Sequence, residues 1–222
     1  MAIFVPLASL LLAIVIKNRS NLRGIISNGE IAWILFFVSA GVTTAIVTEV
    51  LKNLVGRYRP DWLDRCSPSD PGTISIDSFG ATSSENPACT NAVVSASKLE
   101  DGHKSFPSGH SSVAFSLGTV VVFHAGWWMA KSSRDLWSSP LLATMLELWM
   151  ALQVSWAVGV ASSRVIDNKH HVSDVVAGGM IGLLFGCVYS FRAIVEASDN
   201  LIGPCQREAS DSDERYMLET EQ

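Results

Sequence analysis

The chain has 222 residues, 48% of them hydrophobic and only 17% charged, with a formal charge of −5. Sparse charge and several apolar runs of about 20 residues exclude an ordinary soluble domain and a nucleic-acid binder, and indicate a polytopic membrane protein. The acidity is local: from Glu196 onward eight carboxylates face only Arg207 and Arg215, which leaves the rest of the chain at +1.

The first apolar run, Ala2–Ile16, is short for a span, and Lys17, Arg19 and Arg23 follow it instead of preceding it as in a signal peptide. Those basic residues place the Lys17–Glu30 loop in the cytosol. Ile31–Leu51 is the first full-length span. The segment from Lys52 to Gly109 is rich in Ser, Pro, Asp and Asn and too polar to span, so it is a non-cytosolic excursion. It contains Cys66 and Cys89, which are expected to form a disulfide in an oxidising compartment. His110–Ala130 returns inward, Leu141–Ala161 goes outward, and Val175–Phe191 comes back to a polar tail. The expected architecture is an all-α bundle of about five spans. Residues 1–195 form its membrane-embedded domain, and 196–222 read as an acidic, disordered cytosolic tail.

Within the spans, Gly178, Gly182 and Gly186 recur every four residues on one helix face and predict close helix packing. Trp33, Trp127, Trp128, Trp137 and Trp149 read as interfacial or lipid-facing residues. His124 and Glu147 fall at similar depths in antiparallel spans, and an isolated intramembrane charge costs about 2.5–3.5 kcal/mol, so they are expected to pair.

Three charged clusters fall where spans reach the non-cytosolic side. In Lys52-Asn-Leu-Val-Gly-Arg-Tyr-Arg59-Pro60 the two outer cations are two helical turns apart, and Pro60 ends the helix. In Ser105-Phe-Pro-Ser108-Gly109-His110, Ser108 caps the following helix, whose free N–H groups and dipole suit an anion. In Ser163-Arg164-x5-His170-x3-Asp174, four-residue spacing on a helix would let Asp174 hold one nitrogen of His170 protonated while the other stays nucleophilic, and Arg164 offers a fork for an oxyanion. A bundle would bring all three clusters together.

Lys-x6-Arg-Pro, Pro-Ser-Gly-His and Ser-Arg-x5-His-x3-Asp, in that order, resemble the signature motifs of the type 2 phosphatidic acid phosphatase superfamily. Arg57-Tyr58-Arg59-Pro60-Asp61-Trp62, Gly102-His103-Lys104-Ser105-Phe106 and His170-His171 look like its eukaryotic lipid phosphate phosphatase branch, which includes the diacylglycerol pyrophosphate phosphatases. The resemblance implies an integral-membrane lipid phosphate phosphatase without metal or other cofactor, acting on phosphatidate, lysophosphatidate or diacylglycerol pyrophosphate. His170 would be the nucleophile, Asp174 its orienter, and His110 the acid for the leaving alkoxide. Lys52, Arg59, Ser108, Gly109 and Arg164 would bind the phosphate oxygens. Arg57, Lys104, Asp167 and His171 would play supporting or substrate-contact parts. Family members usually have six spans, and on this resemblance the chain is expected to begin at the second, without the family's first helix.

Other classes remain open on sequence. A zinc hydrolase could use His110, His170, His171 and Asp174, though the surrounding Lys52, Arg59 and Arg164 favour an anion over a cation. A vanadate-dependent haloperoxidase shares such a cradle but is a soluble protein. A catalytically impaired membrane homologue would instead serve as a lipid-binding or scaffold protein. The partners expected are a lipid phosphate and the bilayer, with no nucleic acid.

Overall fold

The computed structural model describes residues 3–17, 28–67, 94–131 and 140–220. In chain order its helices are α1 (Phe4–Lys17), α2 (Asn28–Val55), α3 (Trp62–Cys66), α4 (Ala96–Asp101), α5 (Gly109–Lys131), α6 (Pro140–Ile166) and α7 (Val172–Thr220). Among the described residues there are no strands. A chain in hydrocarbon must satisfy its own backbone, and the long apolar runs do so as helices.

Among the described residues, four helices are long and apolar enough to cross a membrane, over Gly29–Val55, Gly109–Ala130, Ala143–Ile166 and Val172–Ser198. The 14-residue α1 covers only about 21 Å, less than the hydrocarbon thickness, so among the described residues four helices are of full span length where about five were expected. Large apolar residues such as Leu35, Ile46, Leu148, Met180 and Leu184 face outward, as lipid contact requires. α7 continues to Thr220, so the acidic segment that charge alone reads as disordered is helical here. Charge argues against a packed core there, but not against a helix.

The glycine stripe packs as expected. A Cβ on Gly178 or Gly182 would strike the carbonyl of Ser108 or Ser112, and one on Gly186 would meet Thr119 at 2.7 Å, so α7 lies directly on α5. Hydroxyls join α2 to α5, with Thr44 Oγ1 donating to Ser116 Oγ at 3.0 Å and Thr48 Oγ1 lying 2.9 Å from Ser112 Oγ. Toward the other end, Leu10, Trp33, Phe37, Leu117 and Val121 form an apolar core. Trp33 is fully buried there, against the lipid-facing position expected for it.

The expected His124–Glu147 pair does not form. His124 Nε2 lies 3.3 Å from Glu30 Oε2, with both side chains buried. Glu147 is exposed, beside the inward stripe of α6 that runs through Ala143, Ala157 and Ala161. Residue counting gives depth along a helix but not direction around it. Glu30 was hidden by its place at the end of a predicted loop; it lies in the first turn of α2, where the helix dipole favours an acid.

Candidate active site

At the end of α2, Gly56 adopts φ +63°, a left-handed conformation that few other residues tolerate, and its N–H caps the Lys52 carbonyl at 3.1 Å. The chain turns away there, so Lys52 and Arg59 do not share a continuous helical face as their spacing suggested. Arg59 is fixed instead by its backbone N–H, which donates to Gly102 O at 2.8 Å, while Ser105 N–H donates to Arg57 O at 2.9 Å. These bonds lay the Arg57–Arg59 segment alongside Gly102–Ser105.

α5 begins just beyond a cis Phe106–Pro107 bond. Ser108 is fully buried; its N–H donates to the Asp174 carbonyl at 2.9 Å, and its Oγ accepts from Ser111 Oγ at 3.1 Å. A Cβ at Gly109 would stand 3.1 Å from Lys52 Nζ, so the missing side chain lets that ammonium approach the start of α5.

α6 ends at Ile166, and Asn168, in the left-handed region at φ 53°, turns the chain. The Arg164 carbonyl accepts from both Lys169 N–H and His170 N–H, at 3.0 and 3.2 Å. His170 therefore sits on a tethered turn, and only Asp174 belongs to α7. Asp174 Oδ2 reaches back to accept His171 N–H at 2.9 Å, the reciprocal half of a capping box.

The consequence for the imidazole differs from the direct pairing expected. His170 Nδ1 donates to the Ser105 carbonyl oxygen at 2.7 Å, while Asp174 Oδ2 stands 3.9 Å away. Asp174, fully buried, instead accepts from Ser105 Oγ and from Arg57 Nη1, each at 2.5 Å. A carbonyl can only accept, so Nδ1 carries the proton and the Nε2 lone pair is free. Burial, reinforced by the positive charge of Arg59, lowers the His170 pKa to about 4, against the opposing pull of the Ser105 carbonyl and Asp174. The ring is neutral at physiological pH.

A cavity of about 880 Å³ opens beside it, lined by Lys52, Arg59, His110, Arg164 and His170. The three sequence clusters thus meet as predicted. Each of the three cations holds a carboxylate: Lys52 with Glu49 at 3.1 Å, Arg59 with Asp101 at 2.8 Å, and Arg164 with Asp167 at 2.8 Å. Asp61, Arg65 and Lys169 also line the cavity, with Asp61 Oδ2 accepting from Lys169 Nζ at 2.6 Å and Arg65 Nη2 at 2.9 Å. Burial alone would raise the Asp61 pKa, but the hydrogen bonds from Lys169 and Arg65 outweigh it and hold the carboxyl below its ordinary value.

Of the expected site residues, Lys52, Arg59, His110, Arg164 and His170 line the cavity, while Ser108 and Asp174 lie beneath it and Gly109 beside Lys52. His171 turns its Nε2 to the Tyr58 carbonyl at 3.2 Å, and Lys104 pairs with Glu100 away from the cavity. Among the described residues no three His, Cys, Asp or Glu side chains converge to hold a metal ion. Sequence reasoning gave Arg57 only a supporting part and missed Ser105, because a carbonyl that accepts from an imidazole carries no residue-type signal. Cys66 is buried and disulfide-bonded; its expected partner Cys89 lies outside the described residues.

The PAP2 superfamily profile matches residues 31–194, a stretch that contains all three clusters. The chain is 31% identical over 163 residues to "Diacylglycerol pyrophosphate phosphatase 1" of Saccharomyces cerevisiae, covering 73% of this chain and 52% of that one. It is 30% identical over 184 residues to "Probable diacylglycerol pyrophosphate phosphatase 1" of Schizosaccharomyces pombe, covering 79% and 58%. To "Lipid phosphate phosphatase 2" of Arabidopsis thaliana it is 34% identical over 151 residues, covering 68% and 47%. The chain therefore spans about half the length of these relatives. No solved structure matches it.

Proposed function

Since the chain belongs to the PAP2 superfamily, we propose that it is an integral-membrane lipid phosphate phosphatase that hydrolyses phosphomonoester or diphosphate headgroups through a phosphohistidine. The observation that carries this reading is the state of His170: a neutral imidazole, its proton committed to Ser105 O, beside a cavity whose lining includes Lys52, Arg59 and Arg164. The Nε2 lone pair attacks phosphorus, and the bond from phosphorus to the lipid oxygen breaks. His110 supplies the proton that lets the oxygen leave as an alcohol. Lys52, Arg59 and Arg164 bind the non-bridging oxygens and stabilise their charge in the transition state. His110 then takes a proton from water, which attacks phosphorus, breaks the P–N bond and frees phosphate and His170. This sequence uses no metal, and activity in excess chelator is its expected signature. The disulfide at Cys66 supports a lumenal or exterior position for this end of the bundle.

The test separates the two histidines. A nitrophenyl ester leaves without the proton that a lipid alkoxide requires, and general acid catalysis contributes roughly 10²–10⁴-fold. In His110→Ala the phosphoenzyme burst is therefore lost with a lipid phosphate and recovered with nitrophenyl phosphate, while His170→Ala gives no burst with either. A labelled phosphoenzyme that persists in His170→Ala refutes the nucleophile.

A further inference from the structure

The seam between α6 and α7 is open: these helices touch each other far less than either touches α5. Val158, Ala161 and Val165 of α6 face Val175, Val176 and Met180 of α7 across a cleft of about 580 Å³ whose floor is Phe115 of α5. No charged side chain lines it. From Val172 to Leu183 it follows α7 for about 16 Å. A second cavity of about 220 Å³ shares Phe115 and Leu183 with it and carries the apolar space on toward Cys187. Both walls belong to membrane-spanning stretches, so the cleft lies at hydrocarbon depth.

The cleft begins where the phosphate cavity ends. Arg164 lines the cavity while the next two residues, Val165 and Ile166, line the cleft; Asp167 to His170 line the cavity, and Val172 the cleft again. We propose that this cleft holds an acyl chain of the lipid whose phosphate sits against His170. The proposal rests on the lipid phosphatase reading and adds to it the site of the chain. A phosphate held by Lys52, Arg59 and Arg164 leaves its glycerol and chains to find a way out. The Asp61, Arg65 and Lys169 side chains that line another part of the cavity are charged and suit an apolar tail poorly, whereas the seam offers an apolar path directly under the catalytic turn. Lipid tails are as apolar as the cleft walls, so occupancy adds little affinity. What it supplies is orientation of the ester at His170, and its effect falls on kcat.

The experiment compares two substrates in the full chain. Val176 and Met180 are exposed in the cleft, and Val176→Trp or Met180→Trp should lower kcat for a long-chain diacyl phosphate at least tenfold while leaving nitrophenyl phosphate within about twofold. Unchanged turnover of the lipid by both variants overturns the proposal. A second arm needs no variant: wild-type protein is irradiated with a diacyl phosphate bearing a diazirine midway along one chain. Adducts at Phe115, Val176, Met180 or Leu183 support the cleft, even if the variants lose both activities. Adducts confined to outward residues of α2 such as Leu35 and Val42, or a cleft sealed by a second copy of the chain, overturn it. Wild-type protein that releases phosphate from no ester refutes the phosphatase reading instead, and the adduct pattern is read independently of that result.

Discussion

His170 and Asp174 do not touch: the imidazole donates to the Ser105 carbonyl at 2.7 Å, and the carboxylate four residues on stands 3.9 Å from the same nitrogen. Asp174 acts through Ser105, whose hydroxyl it accepts and whose carbonyl fixes the tautomer of the ring. The imidazole is thus oriented by the backbone, and the backbone by a buried carboxylate.

The pH profile follows from the state of His170. A nucleophilic imidazole must be unprotonated, so phosphoenzyme formation persists as pH falls and is lost as it passes through about 4. Arg59 depresses this pKa; Arg59→Gln therefore moves the acid limb to higher pH, whatever it does to the amplitude. A wild-type limb near the ordinary histidine value, measured as burst rate against pH, contradicts the burial and charge argument.

Arg57 and Asp174 form a pair with 8% and 0% side-chain exposure. Removing one partner of a buried pair strands the other, at a cost of about 3–5 kcal/mol. Arg57→Met should destabilise the protein by that order and abolish turnover. Arg57→Met with Asp174→Leu should recover part of the stability and none of the activity. Thermal unfolding in detergent, read beside phosphate release, separates the two effects.

The glycines divide by what a methyl group would meet. Gly178→Ala and Gly182→Ala push a Cβ into the backbone carbonyls of Ser108 and Ser112 and should each destabilise by about 1–3 kcal/mol. Gly178→Ala should also impair catalysis, since the atom displaced belongs to Ser108, which is bonded to Asp174. Gly126 and Gly159 have nothing within 4 Å, and alanine there should stabilise by up to about 1 kcal/mol. Equal unfolding temperatures across the set would refute the packing of α5 on α7.

Cys187 is a free, exposed thiol, while Cys66 is buried and oxidised. An apolar maleimide should label Cys187 and spare Cys66 until a reductant is added. Peptide mapping without reductant is expected to find Cys66 joined to Cys89, and reduction to lower stability by about 2–5 kcal/mol. Ready labelling of Cys66 in the unreduced protein would contradict the bridge.

The convergence of Lys52, Arg59, His110, Arg164 and His170 was legible in the sequence, because alternating spans of fixed length return every second helix end to one side of a bilayer. Partners within the bundle were not. His124 pairs with Glu30 and not with Glu147 because azimuth, which decides contact, depends on how each helix is rotated against its neighbours. The relation of Asp174 to His170 was misread for a different reason. Four-residue spacing implies adjacency only inside a helix, and the turn at Asn168 puts His170 outside one.

The pairing of Lys52 with Glu49, Arg59 with Asp101 and Arg164 with Asp167 makes the cavity an ion exchanger already in its carboxylate form. On the proposed reading, phosphate entering it would not add to three bare cations; it would swap one set of anions for another, and its affinity would be the difference between two pairings. The same exchange runs backward when free phosphate leaves, because the tethered carboxylates return at high local concentration. On the proposed reading, a cradle that stabilises a transferring phosphoryl group would thereby release its product readily.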